Sequence, residues 1–77
     1  MAGWALMACI LIRVHARPRE WLTVAELASH LAVDLRTLRA QVLAMHEHAQ
    51  LAVRFDEHTG LATHVRAMER ATGEQAR

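Results

Sequence analysis

Between Thr23 and Gly60 the chain reads TVAELASHLAVDLRTLRAQVLAMHEHAQLAVRFDEHTG, and the period of its apolar positions changes along the way. Leu27, Ala28 and Leu31 fall at helical spacing on one face. Thr23 and Glu26 ahead of them fit a capping box. The Thr23 hydroxyl can accept from the backbone N–H of Glu26, and the Glu26 carboxylate can reach back to the N–H of Thr23. The pattern breaks at Ala32-Val33-Asp34, where Asp34 is a good N-cap for a second helix. Leu35, Leu38, Val42, Met45 and Ala49 then form an apolar stripe that predicts a helix over 35–49, with Arg36, Thr37, Arg39, Ala40 and Gln41 largely outside it. Beyond that helix the period drops to two. Leu51, Val53 and Phe55 alternate with Ala52, Arg54 and Asp56, and Leu61, Thr63 and Val65 alternate with Ala62, His64 and Arg66. These are two half-buried strands, 51–56 and 61–66. They are joined by Glu57-His58-Thr59-Gly60, a loop ending in a residue that tolerates positive φ.

Upstream, MAGWALMACILI carries no charged side chain. It lacks the positive n-region and cleavage site of a signal peptide. Arg13, His15, Arg17 and Arg19 end it short of the ~20 residues of a membrane span. It predicts a helix over 2–15, stopped before Pro18. Trp4, Leu6, Met7, Ile10, Leu11 and Val14 do not fit one stripe. A helix apolar all round should be covered all round, so Trp4, Leu6, Met7, Ile10 and Leu11 are expected to form part of a homodimer interface. Ala16-Arg17-Pro18-Arg19-Glu20 is a polar connector. Trp21-Leu22 is expected to form a short strand against the hairpin, with Trp21 as a core anchor. The domain is expected over 1–66. The segment 67–77 is expected to be a short helix or a frayed, disordered tail.

Composition narrows the function more than the fold. A chain of 77 residues has room for one small domain, whose core is marginal alone and gains from oligomerisation. Hydrophobic content of 53% with 22% charged residues argues for a folded chain. The net charge of +1 is no strong argument for nucleic acid, but all nine basic residues are Arg, which suits bidentate contacts to phosphate or guanine. Cys9, the single cysteine, excludes an intrachain disulfide and reads as a small core residue. His46 and His48 project about 200° apart on a helix, and no i, i+4 histidine pair is available to chelate, so no metal or cofactor is expected. Ser29 and His30 diverge, Asp56 and Glu57 sit at a loop tip, and no Gly-rich phosphate loop is present. The chain is expected not to be an enzyme.

Two helices joined by a tight turn, the second with Arg and Thr near its start, form the helix-turn-helix pattern. Followed directly by a hairpin, the segments VAELASHLAV, DLRTLRAQVLAM and QLAVRF…GLATHV resemble the winged helix-turn-helix family of bacterial, phage and plasmid transcriptional regulators, over about half of the chain. The resemblance implies a mainly α fold with a small antiparallel β-wing: three helices plus a two- or three-stranded sheet. It also implies a protein that binds double-stranded DNA, here expected to act in the cytoplasm, with which the lone cysteine agrees, and as the homodimer that the first helix predicts. The helix 35–49 would enter the major groove with Arg36, Thr37, Ala40 and Gln41 toward base edges and Arg39 at the rim. Thr37 and the helix N-terminus could hold a phosphate. The wing would offer Arg54, His58 and Thr59, with His64 and Arg66 behind them, and Arg17 and Arg19 would reach phosphate from the connector. Many family members carry a basic residue where this chain has Ala40, which leaves a thinner basic face. An alternative is a winged-helix module whose target is a protein, or a regulator that depends on a partner and has little intrinsic DNA affinity. The chain also resembles the small winged-helix regulators of ferrous iron transport, though it lacks their cysteine cluster, and short fimbrial regulators that act beside a larger DNA-binding partner.

Overall fold

The computed structural model describes residues 3–68. The first helix, α1, spans Gly3–Ala16 and buries Leu6, Ile10 and Val14 at steps of four, one face of a 3.6-residue turn. Met7 and Leu11 flank that face and pack partly against the core. On the opposite side Trp4 is 73% and Ile12 70% exposed, and Ala8 between them is also exposed. The all-round apolarity of this helix therefore resolves into one face sealed in the core and one left bare. Leu6 and Ile10, expected at a dimer interface, are buried in their own chain and have no surface to give a partner.

The second helix, α2, spans Val24–Leu31 and starts on Thr23, whose Oγ1 accepts from the Glu26 N–H at 3.0 Å. Among the described residues the reciprocal bond from the Glu26 carboxylate is not formed; Thr23 pairs with His64 in the sheet. The helix ends on Ala32 at φ 55, with Val33 N–H donating to the Ala28 carbonyl and Ala32 N–H to that of Ser29. This is a Schellman closure, and it turns the chain so that Val33 packs on the core. The third helix, α3, spans Leu35–Glu47, with Leu38, Val42 and Met45 buried. It stops short of Ala49, which has φ 58 and is exposed rather than part of the stripe. The same closure recurs there: Gln50 N–H donates to the Met45 carbonyl and Ala49 N–H to that of His46.

Both closures thus place an L-residue with a Cβ in the left-handed region, which costs roughly 1–2 kcal/mol, whereas Gly adopts it freely. Gly also loses more backbone entropy on folding, which offsets part of the gain. Ala32→Gly and Ala49→Gly are each expected to stabilise by on the order of 1 kcal/mol. In a domain of this size that raises the thermal midpoint by about 4–8 °C, to be read by circular dichroism or calorimetry. The same change at exposed Ala25 inside α2 should lower it.

Three antiparallel strands complete the fold of the described residues: β1 (Leu22–Thr23), β2 (Leu51–Phe55) and β3 (Ala62–Ala67), in the order β1-β3-β2. Leu51, Val53 and Val65 face the helices, as alternation requires. The register then slips. Arg54 pairs with His64 but Phe55 with Ala62, which leaves Thr63 as an extra residue on β3. The slip inverts the expected pattern at the start of β3: Ala62 is buried, and Leu61 is 45% exposed. The hairpin turns at Gly60, φ 74, with Asp56 N–H donating to the Leu61 carbonyl at 2.9 Å.

α1 lies against α3 and β3, and α2 lies against α3 and β3. The buried side chains between them form one cluster that includes Ile10, Val14, Leu38, Val42, Met45, Leu51 and Val65. Three helices around one core, with a small antiparallel sheet that ends in a hairpin, make a winged helix. No helix among the described residues is long and apolar enough to cross a membrane. Of the segment 67–77 expected as a helical or disordered tail, Ala67 instead ends β3 and is buried in the core, where it pairs with Leu51, and residues from 69 onward lie outside the described ones.

Candidate nucleic-acid interface

The solvent side of α3 follows from its buried side. With Leu38, Val42 and Met45 inward, Arg36, Ala40, Leu43 and Glu47 point outward, with Thr37 and Ala44 beside them; all six are exposed. Arg36 and Thr37 therefore stand where the sequence places them, on the first turn of a helix that presents its N-terminal end. Ala40 is exposed on the same ridge. The surface further along is not basic: Leu43 is 45% exposed, and Glu47 adds a negative charge.

Gln41, expected toward base edges, and Arg39, expected at the rim, are both turned aside. Arg39 is half-buried, and its Nε donates to the Ala62 carbonyl at 3.3 Å, tying α3 to the root of the wing. Gln41 is half-buried, with its Oε1 3.8 Å from where a Cβ on Gly3 would lie, so it rests against the start of α1. The helix N-terminus is not free for phosphate either. The Asp34 carboxylate accepts from the Arg36 N–H at 3.0 Å and the Thr37 N–H at 3.2 Å. The N-cap that makes the helix start here thereby occupies two of its donors and adds a negative charge beside them. The side chains of Arg36 and Thr37 are what this turn still offers an anionic ligand beyond those two amides. Asp34→Asn keeps the cap and removes the charge. It is expected to tighten duplex DNA binding and leave the melting temperature nearly unchanged, as measured by anisotropy titration beside thermal melts.

At the wing tip the Asp56 carboxylate accepts from the His58 N–H at 3.1 Å and the Thr59 N–H at 2.8 Å. The bonds from Thr59, then the bond from His58, hold its pKa below the ordinary value of 3.8. The Thr59 hydroxyl accepts from the Leu61 N–H at 3.2 Å. His58 and Thr59 are thus exposed on an ordered turn. Of the other expected contacts, Arg17 forms an ion pair with Glu20 at 3.5 Å, both well exposed, and Arg19 is exposed in the same connector.

Arg54 departs most from expectation. Its guanidinium carbon lies 4.3 Å from the centre of the Trp21 ring, and that of Arg66 lies 4.7 Å from it. Strand alternation puts both on the face of the sheet away from the helices, because Val65 faces the core between His64 and Arg66. Trp21 is accordingly half-buried beneath two arginines rather than anchored in the core, and β1 begins one residue later, at Leu22. The alternation of the strands implies that Arg54, His64 and Arg66 share a face; the cross-strand place of Trp21 is the signal that alternation lacks.

His46 faces the sheet. Its Nδ1 lies 3.3 Å from the Leu51 carbonyl oxygen, and its ring meets Phe55 edge-on at 5.5 Å. An open cleft of about 380 Å³ lies between α1 and α2, lined by Arg13, Ala16, Arg17, Leu22, Glu26, Leu27 and His30. It touches none of the residues of α3.

No family model matches the chain, and no curated protein matches it. Among solved structures it is similar to a possible transcriptional regulator from Methanosarcina mazei Go1, with a TM-score of 0.61 and 16% sequence identity over 92% of this chain. The chain spans 60% of the length of that protein. At this identity the likeness is one of fold.

Proposed function

We propose that the protein is a small transcriptional regulator that binds double-stranded DNA through the N-terminal half of α3, with Arg36 and Thr37 toward the bases and His58 and Thr59 of the wing toward the flanking backbone. The observation that carries this reading is the exposure of Arg36 and Thr37 on the first turn of the second helix of a helix-turn-helix, the position from which such helices read the major groove. The description of the M. mazei protein as a possible transcriptional regulator agrees with it. The active species is a homodimer joined through the bare side of α1, Trp4, Ala8 and Ile12, with Met7 and Leu11 at its margin. Exposed Trp and Ile a turn or two apart favour removal from water. Selection of bound sequences from a random duplex pool tests the reading. Enrichment of a palindrome is the expected result; no enrichment at low salt refutes specific duplex binding.

A second reading has its own support. Ala40, Leu43 and Ala44 make the middle of the outer α3 ridge small and apolar, a surface that fits a protein partner better than a phosphate backbone. In that reading the chain regulates by docking on another protein and has little DNA affinity of its own.

A further inference from the structure

We propose that the outer face of the sheet, at Trp21, Arg54 and Arg66, is a second binding site, and that its ligand is a single strand of nucleic acid. The site stands apart from the α3 surface and does not depend on it. Arg54 and Arg66 come from different strands, yet both guanidinium groups lie within 5 Å of one indole ring, at 4.3 and 4.7 Å. Arg66 sits opposite Ala52, whose small side chain leaves the space above the sheet open, and Arg54 sits opposite His64. The His64 ring, with Nδ1 2.9 Å from the Thr63 hydroxyl, adds a fourth planar group to the same face.

Two like charges gathered over one ring repel each other. Among the described residues no carboxylate pairs with either; the one ion pair there is Arg17–Glu20. An anion between or beside the guanidiniums would relieve that repulsion. Both guanidinium groups lie over the Trp21 ring, no side-chain or backbone acceptor for either is found among the described residues, and a guanidinium carries five N–H donors in a fork that matches phosphate. The cluster also presents flat π surfaces beside those donors. A single strand supplies a partner for both features, because its bases can stack on indole or guanidinium while its phosphates accept from the edges. A duplex hides its base faces, and an acidic peptide would engage only the edges.

Trp4→Phe leaves Trp21 as the sole tryptophan and keeps the α1 face apolar, so the fluorescence of Trp21 reports on the site. Titration of this protein with a short oligothymidylate is expected to quench Trp21. Arg54→Ala with Arg66→Ala should weaken binding by at least about tenfold and reduce the dependence of log K on log salt by roughly 1.4, at about 0.7 for each phosphate no longer neutralised. Arg54→Lys with Arg66→Lys keeps the charge and should retain the salt slope while losing part of the quench. Arg36→Ala should leave single-strand affinity unchanged, so failure of the α3 reading and failure of this one are separable. Thermal melts of each variant confirm that it is folded, since neither arginine belongs to the core. Absence of oligothymidylate binding, equal affinity of wild type and the double Ala variant, or quenching of Trp21 by poly-glutamate or by a duplex at concentrations as low as those of the oligonucleotide would each overturn the proposal.

Discussion

Replacing Ile10 by Glu is expected to unfold the chain, whereas replacing Ile12 by Glu is expected to leave it folded and to convert a dimer into a monomer. Ile10 is fully buried among Leu6, Val14 and the side chains of α3 and β3, while Ile12, two positions on, is 70% exposed. A Glu at position 10 forfeits the ~1.5–3 kcal/mol of a buried Ile side chain and must either bury a charge with no partner, at about 3–5 kcal/mol, or protonate. A chain of this length has a total stability of roughly 4–12 kcal/mol, so the substitution removes most or all of it. A Glu at position 12 stays in water and disturbs no packed neighbour. If the bare side of α1 joins two copies, two like charges then face each other across that junction and the assembly separates. Circular dichroism checks the first outcome, and sedimentation or small-angle scattering at micromolar concentration checks the second. A wild-type protein that sediments as a monomer at that concentration eliminates the α1 interface.

The second large effect is expected at Arg36. It is the only arginine on the outward ridge of α3, since Arg39 is tied to Ala62 and Arg54 is drawn to Trp21. Few redundant cations remain to compensate for its loss. Arg36→Ala is expected to weaken binding to a selected duplex by about 1–3 kcal/mol, a factor of roughly five to 150, and to relax preference at one base position. The substitution lies on an exposed first turn, after the cap formed by Asp34, so the thermal midpoint should scarcely move.

The helix-turn-helix is legible in the sequence because its signals are local: a Thr cap before α2, a broken stripe at residues 32–34, and an Asp cap before α3. The wing is legible as an alternation of period two closed by Gly60. The faces of α1 are not, because Leu6, Ile10 and Val14 are no more apolar than Trp4 and Ile12, and only packing decides which set goes inside. The Thr63 bulge escapes the alternation rule because one extra residue inverts every inference before it, sending Ala62 inward and Leu61 outward. Arg54 is assignable to the outer face but not to Trp21, which lies 33 residues away in the chain and meets it only once β1 adds to the sheet. At the α3 N-terminus the sequence names the cap correctly but leaves its consequence implicit: a carboxylate that satisfies the first amides also denies them to phosphate.

The most direct test is a titration of a duplex recovered from random-pool selection with wild type, Arg36→Ala and Asp34→Asn at two salt concentrations. DNA recognition by the first turn of α3 predicts that affinity falls for Arg36→Ala, rises for Asp34→Asn, and that only the Arg36 change blurs the selected sequence. Identical affinities for all three proteins on every duplex would contradict it.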